Sequence, residues 1–181
     1  MSGGSVTGGT GDIKPQLLTM SPGTPAADDY TTAQINLPVP RVGSIKNKAT
    51  VTEILKVFFF WASSTDTTID EVQYLSTQQI RTSGDTSTSA TMIEDIGDPS
   101  VFAAVGKNRF ASGTPANTVT DTMTQVVDLT DENGNGLVVA TDRIFYTIGN
   151  AGGGTACRAK ILYRMINIGI QEYVGIVQSQ Q

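Results

Sequence analysis

The clearest chemical pattern in this chain is an oxygen-rich loop. Asp131, Asn133 and Asn135 place side-chain oxygens on alternate residues and Gly136 follows, as at the start of a calcium-binding loop. Asp142 falls at the twelfth position, which normally carries a bidentate Glu, and strands rather than helices are predicted on both sides. Two interpretations stay open: a calcium site formed by Asp131, Asn133, Asn135 and Asp142, or a turn in which Asn and Gly supply positive φ.

Basic residues form two groups that could contact phosphate through charge, without regard to nucleotide sequence. Arg158, Lys160 and Arg164 fall on one side of a predicted strand, and Arg143 of the preceding strand could extend them into a patch. The alternative is ordinary surface charge or salt bridges between subunits. The second group follows the N-terminal segment and consists of Arg41, Lys46 and Lys48.

Composition excludes several function classes. The chain has no histidine, which rules out Ser-His-Asp and Cys-His mechanisms and removes the commonest general base and metal ligand. Its formal net charge is −5, so overall charge does not favour nucleic acid, and contact with nucleic acid would need a local patch. Cys157 is the only cysteine and falls on the apolar side of its strand, as a small core residue would. We therefore expect a protein that is not an enzyme and has no cofactor, calcium being the one exception that the sequence allows.

The elements that must position these residues are strands. Over 49–61, Val51, Leu55, Val57, Phe59 and Trp61 share one parity, which predicts a strand with an apolar face. Seven or eight such segments and no amphipathic helix are predicted, which indicates an antiparallel all-β sandwich or barrel. The other predicted segments are 33–42, 69–80, 118–129 paired as a hairpin with 137–148, and a long last strand over 156–177.

Two details refine this prediction. In the last strand the apolar parity changes after Met165, which predicts a β-bulge or a switch between sheets. Residues 1–30 are rich in Gly, Ser, Thr and Pro, which predicts a flexible arm ahead of one domain over 31–181. The sequence shows no apolar segment long enough to span a membrane and no secretory signal, so we expect synthesis inside a cell.

Four segments carry a resemblance to a known family. They read INLPVPRV, VTEILKVFFFW, GLVVATDRIFYTIGNAG and, at the C-terminus, RAKILYRMINIGIQEYVGIVQSQQ. In these the chain resembles the capsid proteins of small Rep-encoding circular single-stranded DNA (CRESS-type) viruses, over 35–42, 51–61, 136–148 and 160–181. One feature departs from the pattern: Lys14 is the only cation in the first forty residues, where many such proteins carry an Arg/Lys-rich arm.

The resemblance implies an eight-stranded single jelly roll that self-assembles into an icosahedral shell, the virion, around single-stranded DNA. The partners would be copies of the chain itself and the genome, and no catalytic residue is implied. The alternative is a β-sandwich binding module, such as a phage fibre, decoration or carbohydrate-binding domain, which would favour the calcium interpretation.

Overall fold

The computed structural model describes residues 14–37, 41–43, 48–62, 68–110, 124–152 and 154–180. Ten strands and two short helices account for most of them. In chain order they are β1 Gln16–Met20, β2 Asp29–Asn36, β3 Arg41–Gly43, β4 Lys48–Trp61, β5 Thr68–Ser76, α1 Ser89–Ile96, β6 Val101–Phe110, β7 Thr124–Asp128, β8 Leu137–Val139, β9 Arg143–Gly152, β10 Cys157–Gly169 and α2 Ile170–Ser179.

The strands form two antiparallel sheets in jelly-roll order, which confirms the predicted fold class. Sheet A has the order β1-β10-β4, with β3, β7 and β8 also pairing with β4, and sheet B has the order β2-β9-β5-β6. We count β7 and β8 as two halves of one strand and set aside the three-residue β3. Eight strands then remain, and the first pairs with the last, the second with the seventh, the third with the sixth and the fourth with the fifth. This nesting is what a long hairpin produces when it rolls into a sandwich.

Strand β4 confirms the predicted strand but not its single apolar face. A register shift against β10 leaves Leu55 as an extra residue, because Leu162 pairs with Lys56 whereas Tyr163 pairs with Ile54. Such a bulge changes which parity faces the core. Ile54 therefore shares the core with the odd-numbered residues that follow it. Val51 packs on the opposite, outer face of sheet A.

The predicted hairpin between 118–129 and 137–148 is wrong. β7 and β8 both pair antiparallel with β4, so they run end to end along one edge, and the loop between them projects from that edge. The chain then crosses to sheet B, where Arg143 begins β9. Residues 118–123 of the predicted strand lie outside the described residues.

The end of the chain also differs from prediction. β10 stops at Gly169, and the next ten residues form α2 where strand was predicted to Val177. The change of apolar parity after Met165 comes from the outer face alone. The odd-numbered residues of β10 face the core as far as Met165, whereas Ile166 and Ile168 are apolar because α2 packs on the outer face. The bulge at this level lies in β4 and leaves the parity of β10 unchanged. The expectation of no amphipathic helix is also wrong for α1, which covers the outer face of sheet B.

Part of the segment predicted as a flexible arm is strand. Residues 16–20 form β1, paired with β10, and the side chain of Met20 is 2% exposed. Residues 1–13 lie outside the described residues, so the arm stays a prediction for them. No helix among the described residues is long and apolar enough to cross a membrane.

Candidate functional site

The predicted basic patch divides between the two sheets. Arg143 is an exposed residue of sheet B, and its Nε lies 3.3 Å from Oδ1 of Asp142. Arg158, Lys160 and Arg164 belong to β10 of sheet A, so the four residues do not share one face.

Arg164 is occupied by a structural contact. Its guanidinium donates from Nε to Oε2 of Glu53 and from Nη2 to Oε1 at 3.3 Å, and the Glu53 side chain is 2% exposed. The same carboxylate accepts from the backbone N of Gly136 at 2.7 Å, and Arg164 Nη2 donates to the carbonyl of Gly134 at 3.4 Å. Arg164 therefore anchors the β7–β8 loop to β10.

Arg158 and Lys160 remain on the outer face of sheet A. Arg158 is exposed, and Lys160 Nζ lies 5.6 Å from the ring centroid of Phe60. Register places Phe60 beside Arg158 and Phe58 beside Lys160. This face therefore combines two cations with two half-buried aromatic rings.

The two described residues of the second basic group, Arg41 and Lys48, lie far from this face. Arg41 begins β3 and Lys48 begins β4, which puts both at the opposite end of β4 from Phe60. The Lys48 side chain is exposed, whereas the Arg41 side chain and all of Lys46 lie outside the described residues. The group therefore stays a prediction.

The candidate calcium loop is closed by its own hydrogen bonds. Asp131 Oδ1 accepts from the backbone N of Asn133 at 2.9 Å and of Asn135 at 2.8 Å, and Oδ2 accepts from Asn135 Nδ2 at 3.1 Å. These bonds, led by the one from the Asn135 backbone, lower the pKa of Asp131. Gly134 has φ +78°, as an Asn-Gly turn requires. The described residues contain no cluster of three or more Asp, Glu, His or Cys placed to hold a metal. These hydrogen bonds are those of a turn, and Asp142 pairs with its neighbour Arg143. The calcium site stays a prediction.

A polar cluster lies inside the sandwich, beside Cys157. Glu71, 1% exposed, accepts from the backbone N of Thr155 at 2.7 Å and from the Thr155 hydroxyl, and Tyr146 donates to Gln73. Burial raises the pKa of the Cys157 thiol, and Glu71 raises it further. The expectation that Cys157 is a core residue is confirmed, since its side chain is 1% exposed.

Helix α1 is fixed through its buried Asp95, which contacts Arg81 of the β5–α1 loop and Tyr74 of sheet B, but it leaves apolar side chains in solvent. Arg81 donates from Nε to both oxygens of Asp95, at 3.0 and 3.1 Å, and its Nη2 lies 2.9 Å from Asp95 Oδ1. Tyr74 also donates to Asp95, at 3.4 Å. On the outward side Ile93 is 72% exposed and Ile96 is 40% exposed.

Helix α2 is held on sheet A at its C-terminal end. The Gln180 side-chain amide donates to the carbonyl of Val138 at 2.7 Å and accepts from the backbone N of Ala140 at 3.0 Å, so it imitates a paired strand residue. Tyr173 and Ile176 pack onto the outer apolar cluster of the sheet. No α2 residue is fully buried.

The apolar arc of α2 is wider than the part that contacts the sheet. Ile170, Val174 and Val177 follow helical spacing beside Tyr173, yet they are not part of the cluster under the helix, and Val174 is 48% exposed. Sequence reasoning missed these residues and Ile93, because both helices were assigned to other structure. The signal present was the i, i+3, i+4, i+7 spacing over 170–177.

Comparison with known proteins gives a match in fold only. No protein-family model and no curated protein sequence matches the chain. Among solved structures it is similar to VP1 of trichodysplasia spinulosa-associated polyomavirus in complex with GM1 oligosaccharide, with TM-score 0.53, 14% identity, and coverage of 89% of this chain and 96% of VP1. It is also similar to the unassembled KI polyomavirus VP1 pentamer, with TM-score 0.51, 10% identity, and coverage of 86% and 95%. The Merkel cell polyomavirus virus-like particle gives TM-score 0.52, 11% identity, and coverage of 93% and 79%.

These likenesses establish the jelly roll of viral capsid proteins as the fold of this chain. The solved structures are polyomavirus proteins, so they support the viral jelly roll of the sequence resemblance but not its assignment to circular single-stranded DNA viruses.

Proposed function

We propose that this chain is a non-enzymatic viral coat protein that self-assembles into a closed icosahedral shell around a genome of single-stranded DNA. The observation that carries the proposal is the exposed apolar side chains of the two helices, Ile93 and Ile96 on α1 and Val174 on α2, where the half-buried Ile170 and Val177 extend the apolar row. The two helices cover the outer faces of opposite sheets. A subunit with two different apolar surfaces can pack one of them against the other surface of the next copy. Such heterologous contacts close into rings and shells.

The fold supports the same conclusion. The capsid proteins that share this jelly roll include one from a virus-like particle. The genome type rests on the resemblance of the four sequence segments alone.

Light scattering after size exclusion, with negative-stain microscopy of the same fraction, tests assembly. The full chain should form uniform closed particles of at least about sixty copies, the number that icosahedral symmetry requires. Ile93→Glu and Val174→Glu should each reduce particle yield strongly, because a charge would be buried in a subunit contact.

Gln171→Glu is the matched control, since it adds the same charge at an exposed polar position of α2. It should assemble like the wild type. A stable monomer or trimer of the wild type across salt and calcium concentrations would refute the coat-protein proposal and favour the β-sandwich binding module.

A further inference from the structure

The outer face of sheet A carries an aromatic and basic surface that none of the described residues covers. On β4, Val57, Phe59 and Trp61 are at most 3% exposed and face the core, so Phe58 and Phe60 face outward, where both are half-buried. We call this surface the Phe face. Its two cross-strand rows are Thr19–Lys160–Phe58–Val126 and Arg158–Phe60–Thr124.

The Phe face is locally positive although the chain is acidic. Lys56 is paired with Asp128 at 2.7 Å at the edge of the face. Arg158 has no ion pair with any described residue, and Lys160 contacts the Phe60 ring rather than a carboxylate. Two cations therefore remain available in a chain whose formal net charge is −5.

The shape of the Phe face suits a flat, charged ligand. A depression of about 400 Å³ lies beside Phe60, and Thr19, Arg158 and Lys160 contribute to its walls. Val126, 52% exposed, continues the apolar surface across the neighbouring strand. Aromatic rings beside uncompensated cations are the pattern of sequence-tolerant binding to single strands, whose unpaired bases stack on the rings.

The positive charge of the Phe face favours nucleic acid over a second copy of the chain as the macromolecule that covers it. A second copy of an acidic chain would have to supply carboxylates at these two positions, whereas a phosphate backbone supplies anions at every nucleotide. The rings favour a single strand over a duplex, because duplex bases are already stacked on one another.

We propose that the Phe face is the genome-contacting surface and that it binds single-stranded nucleic acid, with bases stacked on Phe58 and Phe60 and phosphates held by Arg158 and Lys160. The inference rests on the proposed coat function, whose assignment leaves open which surface faces the genome.

Fluorescence anisotropy with a labelled oligo-dT and with a duplex of equal length, over 50–200 mM NaCl, tests the proposal on the full chain, kept at a concentration too low for shells to form so that the Phe face is accessible. The Arg158→Gln/Lys160→Gln variant should weaken oligo-dT binding and lower the slope of log affinity against log salt by about 1.4, or about 0.7 for each lost cation. The Phe58→Leu/Phe60→Leu variant should weaken oligo-dT binding by about tenfold for each base that loses its ring. Its salt slope and its duplex affinity should stay unchanged.

Arg143→Gln, which removes an exposed cation from sheet B, is the matched control and should leave the salt slope unchanged. The proposal is overturned if the wild type binds oligo-dT no more tightly than duplex, or if both double variants bind as the wild type does.

Particle formation measured on the same variants separates this proposal from the assembly proposal. Shells that form normally but lose oligo-dT binding would support the Phe face as the genome contact. Loss of shells with unchanged oligo-dT binding would overturn it and assign the surface to a second copy of the chain. Failure of the wild type to assemble would refute the coat function, whatever the binding result.

Discussion

Removal of Arg164 should destabilise the subunit far more than removal of its partner. Arg164→Met leaves the Glu53 carboxylate, 2% exposed, with the hydrogen bond from the backbone N of Gly136 but without its guanidinium partner. Breaking a buried ion pair in this way costs about 3–5 kcal/mol, because the remaining charge is neither hydrated nor neutralised.

Glu53→Gln removes the other half of the pair at a lower cost. Arg164 is 26% exposed and can turn part of its guanidinium toward water, and the amide side chain of this variant keeps an oxygen for the backbone N of Gly136. We expect a loss of about 1–2 kcal/mol, similar to one charge-assisted hydrogen bond. The double variant should be more stable than Arg164→Met alone, since it holds no unpaired buried charge.

Urea unfolding of the subunit at one fixed low concentration measures the three changes. With a slope of about 2 kcal/mol/M, the midpoint should fall by about 1.5–2.5 M for Arg164→Met and by less than about 1 M for Glu53→Gln. The assignment of Arg164 to a buried structural pair would be refuted if the two single variants lowered the urea midpoint equally. It would also be refuted if the double variant were less stable than either single variant. Arg164 would then return to the candidate nucleic-acid residues.

Three further outcomes follow from the loop and the core. Gly136→Ala should lower the free energy of unfolding in urea by more than about 2 kcal/mol, because a Cβ there would lie 2.2 Å from the carbonyl oxygen of Ile54. Gly134→Asn is the control: this position lies in open space at φ +78°, which Asn tolerates, so the loss should be less than about 1 kcal/mol. Millimolar calcium should leave the unfolding midpoint unchanged, since the Asp131 carboxylate already accepts the amides of its own loop; a rise would restore the calcium interpretation. Cys157 should resist a maleimide at pH 8 in the native subunit and react fully in denaturant, because it is buried and its pKa is raised; native labelling would place the thiol at the surface.

Prediction from the sequence succeeded where the pattern depends on neighbouring residues. The alternation that predicted β4 reflects the two faces of one strand, and it survives in the structure. The bulge at Leu55 could not be recognised in the sequence, because Ile54 and Leu55 are both apolar and either could face the core. Contacts between distant residues were also out of reach: the partner of Arg164 lies 111 residues away, so its charge could not be distinguished from a free surface charge.

The helix α2 shows why an apolar run can be misassigned. Its Ile and Val residues favour a strand by composition, and their spacing also fits a helix. The partner strand determines where β10 ends and α2 begins, since Gly169 of β10 pairs with Lys48, the first residue of β4. Beyond that point β4 offers no backbone to pair with, so a helix satisfies the hydrogen bonds of the chain internally. The α1 cap was missed for a simpler reason: Thr88 pairs with Thr91 rather than with the Glu or Gln that marks a typical capping box.

The two helices also explain why the open surfaces indicate partners. Where α1 and α2 cover the sheets, the apolar side chains beneath them, such as Tyr30 and Val51, have no exposed surface. The Phe face and the exposed side chains of Ile93, Ile96 and Val174 receive no such cover from the described residues. Ile93 and Ile96 lie at helical spacing on one side of α1, so they form an apolar patch rather than single scattered exposures. If the exposed rows close subunit contacts and the Phe face meets the genome, charge at Ile93 should abolish shells but spare oligo-dT binding. Loss of Arg158 and Lys160 should do the reverse, and one surface serving both roles would lose both properties together.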